Sequence, residues 1–76
     1  MTSAITKEFL YALQSMEPCT SLELTRYLNG NLSHSSVLYV LNLGLIIDMI
    51  TVNNHDGKML WSLSDIARDA IRRGEI

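Results

Sequence analysis

Cys19, His34 and His55 carry the side chains of this chain that most readily ligate a soft metal. A zinc site needs closely paired ligands at set intervals, and these three separations match no such pattern. They read as unrelated surface or core residues, and no metal is expected. Cys19 alone admits two readings. It follows Pro18 and lies just ahead of an expected helix N-terminus, a field that lowers a thiol pKa and would suit a redox sensor. The plainer reading is a small residue filling space between helices. No glycine-rich phosphate loop precedes a helix, and no nucleophile stands beside a base or a converging carboxylate pair. A domain of this size has little room for a substrate pocket. Neither an enzyme nor a cofactor is expected.

Binding chemistry is the other possibility, and here the distribution of charge matters. The formal net charge is −2, so any attraction to nucleic acid must come from a local basic patch. Between Arg26 and Lys58 there is no lysine or arginine at all. Arg68, Arg72 and Arg73 form a group near the end of the chain, expected to point outward from a helix. They are either phosphate contacts or solvated charges in a last turn, where the helix dipole favours cations. Asp65 and Asp69 partly cancel their field.

The 76 residues make one domain, and a chain this short buries only roughly 60% of its unfolded surface. At 47% hydrophobic and 18% charged it is globular and rich in aliphatics. That excess of apolar material suggests a face turned toward a partner, such as a second copy. The single cysteine excludes an internal disulfide, which fits a reducing compartment. The start, MTSAITKEFLYAL, lacks the basic region and unbroken apolar run of a secretion signal. Val37 to Ile50 is interrupted by Asn42, Gly44 and Asp48 and is too short to span a bilayer. The expectation is a cytoplasmic protein without a membrane segment.

The elements that position these residues follow from periodicity. Ile5, Phe9, Ala12, Leu13 and Met16 form one stripe of a first helix, capped by Thr2 or Ser3 and ended by Glu17-Pro18. Thr20-Ser21-Leu22-Glu23 fits a capping box for a second helix, in which Leu24, Tyr27 and Leu28 face inward. Asn29-Gly30-Asn31 closes it. Ser33 caps a third helix through Val37, Leu38, Val40 and Leu41 to about Leu43, with Gly44 as its stop. Val37 to Leu43 is too apolar to face one core stripe, so part of it should meet another surface.

From Ile46 to Val52 the chain reads as strand, Asn53 to Gly57 as turn, and Lys58 to Leu63 as a returning strand. Met59, Trp61 and Leu63 fall on one face, where Trp61 either plugs the gap beside the first helix or stacks on a ligand. Ser64-Asp65 caps a last helix over about 65–73, with Ile66, Ala67, Ala70 and Ile71 as its stripe. A lone hairpin is marginal in water, so it must lie against the helices.

The order helix, helix, helix, hairpin, helix resembles the winged helix-turn-helix domains of small prokaryotic, phage and plasmid transcriptional regulators, broadly the MarR, ArsR and PadR group. Residues 20–28 resemble that group's second helix and Ser33 to Leu43 its recognition helix. Gly44-Leu45-Ile46 is similar to the lead into the wing, and Gly57-Lys58 with Trp61-Ser62-Leu63-Ser64 to the returning strand. The resemblance implies a mostly α domain with a two-stranded wing, the helix-turn-helix over about 20–43 and the wing over about 45–63. It also implies double-stranded DNA as partner, with the third helix in the major groove and the wing on the backbone. By position, the groove-facing residues are His34, Ser35, Ser36, Tyr39 and Asn42, with Tyr39 reading equally as a contact residue or as core. Asn54, His55 and Lys58 would lie at the wing, and Arg26 would approach phosphates.

Two functions stay open. One is a homodimeric DNA-binding regulator whose doubled cations reach phosphates. The other is a winged-helix protein-interaction module, because affinity for DNA rests largely on neutralised phosphates and residues 27–57 supply no strong cation.

Overall fold

The computed structural model describes residues 7–76, so Thr2, Ser3 and Ile5 lie outside the described residues. Helix α1 (Lys7–Met16) buries Phe9, Leu10, Ala12 and Leu13, the three- and four-residue spacing of one inward face. It stops before Glu17-Pro18. Helix α2 (Ser21–Tyr27) begins with the expected capping box: Glu23 N donates to Thr20 Oγ1 at 3.1 Å, and Thr20 N donates to Glu23 Oε1 at 2.8 Å. Two orphan amides are thereby satisfied at once. Only Leu24 of α2 is buried; Tyr27, expected inside, is exposed. Seven residues give a helix under two turns, too short for a broad buried stripe.

Helix α3 (His34–Ile46) starts at Ser33, whose Oγ accepts from Ser36 N. It runs past Gly44 and ends three residues later than predicted. Gly44 is therefore no stop signal here. A Cβ on it would lie 2.4–2.9 Å from Ile50 side-chain atoms, so the glycine lets the following strand press against the helix. The left-handed residue that turns the chain is Asp48, at φ 64. Met49 N then donates back to Gly44 O at 2.8 Å.

Strands β1 (Ile50–His55) and β2 (Lys58–Leu63) pair antiparallel, from Ile50 opposite Leu63 to His55 opposite Lys58. The strand starts later than predicted because residues 46–49 are used to finish α3 and turn. The predicted five-residue turn contracts to Asp56-Gly57, both at positive φ (53° and 81°), which suits a two-residue hairpin. Asn53, Asn54 and His55 belong to β1. Cys19 adds a single-residue bridge on the other edge of β2, exchanging backbone bonds with Trp61 at 3.2 and 2.7 Å. Helix α4 (Asp65–Arg72) is capped by Ser64, whose Oγ accepts from Ala67 N and donates to Asp48 O. Its buried residue is Ala67, while Ile66, placed in the inward stripe by periodicity, is exposed.

Phe9, Leu13, Leu24, Val37, Leu41, Ile50, Trp61 and Leu63 form the core between α1, α2, α3 and the hairpin. Trp61 is a packed residue, so the reading of it as a ligand-stacking platform is corrected. Among the described residues no helix is long and apolar enough to cross a membrane.

Candidate functional site

The outward face of α3 carries Ser35, Tyr39, Asn42 and Ile46, residues three or four apart and all exposed. Tyr39 is 64% exposed and Ile46 80%, values that place both side chains in solvent. The core takes the opposite side of the helix through Val37, Val40, Leu41 and Gly44. Tyr39 is thus a surface residue, which resolves the choice between contact and core.

Several predicted contact residues prove to be engaged locally. Asn42 Nδ2 donates to Leu38 O at 2.8 Å, leaving its oxygen and one N–H for other partners. Ser36 is tied into the cap, with Ser33 Oγ donating to its hydroxyl at 3.0 Å. Asn54 Oδ1 accepts from Gly57 N and thereby shapes the hairpin turn. His55 is exposed on the hairpin, 3.7 Å from Asp56. His34 Nε2 lies 2.9 Å from Ser21 Oγ, a bond that joins the starts of α2 and α3. Ser35, Tyr39, Arg26 and Lys58 make no side-chain hydrogen bond among the described residues.

Arg26 from α2 and Lys58 from the start of β2 come together in one groove of about 430 Å³. Thr20, Ser21, Leu22, Glu23 and Met59 complete its lining. The capping-box amide and hydroxyl of Thr20 hold the Glu23 carboxyl below the usual carboxylate range, and Lys58 and Arg26 add to that. The groove therefore holds two cations and one ionised carboxylate. Through Ser21 and His34 it adjoins the first turn of α3.

The third predicted cation group is dismantled by the fold. Arg68, expected to point outward, turns back onto Glu17 in a bidentate pair. The Glu17 side chain is only 13% exposed, and its Oε1 also accepts from Leu63 N at 2.9 Å. Hydrogen bonding to Glu17 holds the Arg68 guanidinium above its ordinary range. Arg72 pairs with Asp69, and Arg73 lies 3.4 Å from Glu75. Sequence reasoning missed Glu17 because its partner is 51 positions away and no local pattern links them.

Cys19 is buried, and its thiol is pushed up to about 11 by desolvation first, then by Glu23 and Glu17. A thiol held neutral is a poor nucleophile, so the redox-sensor reading is corrected. The helix N-terminus does not prevail because burial and two nearby carboxylates act against the thiolate. Among the described residues no group of three or more histidine, cysteine, aspartate or glutamate residues could hold a metal ion. A scan against protein-family models and a search of curated proteins return no match to this chain.

Proposed function

We propose that the chain is a winged-helix domain that binds double-stranded DNA in transcriptional control, with α3 in the major groove and the β1–β2 hairpin as the wing on the backbone. One observation carries this reading. Arg26 and Lys58, the cations bounding a stretch of sequence without lysine or arginine, share a groove that adjoins the first turn of α3 through Ser21 and His34. The outer face of that helix presents hydroxyl and amide groups (Ser35, Tyr39, Asn42) able to reach base edges or phosphates. A homodimer would double this set of cations. Fold-level likeness adds only an analogy.

A second reading, a protein partner for α3, has its own observation. Arg68, Arg72 and Arg73 are each paired with a carboxylate, and Ile46 stands almost fully in solvent at the end of the same face. Titrating a labelled generic duplex at low and at moderate salt separates the two. DNA binding gives a steep fall of affinity with salt, and Lys58→Ala lowers that slope by about one. No binding even at low salt overturns the DNA reading and leaves the protein partner.

A further inference from the structure

A second exposed feature lies at the other end of β2. Ile46 and Ile47 close α3, and Ile66 sits in the first turn of α4. The three are 80%, 52% and 57% exposed. Ser64 holds these segments together: its Oγ donates to Asp48 O at 2.7 Å and its N to Met49 O at 3.0 Å. Asp48 and Asp65, both exposed, stand next in the chain to Ile47 and Ile66. Arg68, the cation in electrostatic reach of Asp65, is already paired with Glu17. The result is an apolar projection with an acidic rim.

The groove at the hairpin end is its counterpart. It is concave, with Leu22 and Met59 as exposed apolar walls (45% and 48%) and Arg26 and Lys58 as cations. Glu23 is engaged by Thr20 and offsets one of the two charges. From Met59 to Asp65 an extended chain covers about 20 Å, so one molecule cannot bring its own two features together.

We propose that the isoleucine projection of one copy docks into the Leu22–Met59 groove of a second copy, with Asp48 and Asp65 facing Arg26 and Lys58. Such a contact is heterologous, and it propagates head to tail instead of closing as a symmetric pair. It is small, hence weak and transient. It occupies the groove used for phosphates in the DNA reading but does not depend on that reading, since the assembly forms without DNA.

The test is light scattering after size exclusion, without DNA, up to millimolar protein and at two salt concentrations. The wild-type chain gains mass continuously with concentration, and more so at low salt. Arg26→Asp with Lys58→Asp abolishes the gain. So does Asp48→Asn with Asp65→Lys, where asparagine is chosen because it tolerates the positive φ at 48. An equimolar mixture of the two double variants reassembles, because each offers the other a charge-complementary contact. Ile46→Ser, a change at a solvent-exposed site, also abolishes assembly and supplies the answer if a charge variant fails to fold. A monomer at every concentration overturns the proposal, as does a closed dimer indifferent to these substitutions or a mixture that stays apart. The DNA titration is untouched by any of these outcomes.

Discussion

The two ends of this molecule treat polar groups in opposite ways. Where α1, β2 and α4 meet, Glu17 binds Arg68 with both oxygens and also caps the buried Leu63 amide, while Cys19 exchanges two backbone bonds with Trp61. On the outer side of α3 and the adjoining groove, Ser35, Tyr39, Arg26 and Lys58 are left without side-chain bonds among the described residues. The first region uses its charges for internal structure. The second leaves hydrogen-bonding groups and cations available, at the cost of little stability. A surface meant for a partner has that property, and the three C-terminal arginines, which look like the strongest binding group in the sequence, belong to the other region or are paired on the surface.

The contrast is most sharply tested by truncating one aromatic side chain in each region. Trp61→Ala removes a 5%-exposed ring from the core and should lower stability by about 3–5 kcal/mol, read as the denaturation midpoint. Tyr39→Ala, on the outer face of α3, should stay within about 0.5 kcal/mol of the parent. It should nevertheless weaken partner binding. A comparable loss of stability in both variants would erase the distinction between the two regions.

A smaller effect is expected at Glu17. Replacement by alanine leaves the Leu63 amide, on a residue 2% exposed, without its acceptor, a loss of about 1–3 kcal/mol. The Arg68 side chain is 43% exposed, so solvent screens the ion pair and most of that loss belongs to the buried amide. Glu17→Gln keeps a carbonyl oxygen for Leu63 and should be the milder change. Equal losses in the two variants would assign the stability to the charge instead.

What the sequence disclosed, and what it did not, follows from the range of each interaction. The capping box at Thr20 and Glu23 and the caps at Ser33 and Ser64 are contacts within three residues, and each appears where the local pattern predicts it, while the turn predicted over 53–57 narrows to Asp56-Gly57. Trp61 and Leu63 follow the strand alternation into the core. Gly44 departs from its sequence pattern because a glycine that stops a helix and one that admits a neighbour look alike in sequence. Its partner, Ile50, is known only once the strand is folded back. Arg68 departs for the same reason, since helical periodicity predicts an outward direction and carries no sign of Glu17, 51 positions away. At the candidate site, the exposure of Tyr39 was undetermined in the sequence, and the sharing of a groove by Arg26 and Lys58 depends on the hairpin lying against α2.

The smallest expected effect lies within that groove. Glu23 has a lowered pKa in the folded chain, caused first by the Thr20 amide and hydroxyl and only then by Lys58 and Arg26. A carboxyl whose folded value lies below its unfolded one adds stability above the unfolded value, and that contribution is lost as pH falls through the folded value. The parent should therefore lose stability on the acid side of the ordinary glutamate range. Glu23→Gln preserves an acceptor for the Thr20 amide but cannot titrate, so its own curve should be flatter there. Added salt separates the two causes, since it screens the exposed cations and leaves the hydrogen bonds. If denaturation curves show the acid-side difference vanishing in high salt, the field of Arg26 and Lys58 governs Glu23. A difference that persists assigns it to the cap and leaves those two cations available to a partner.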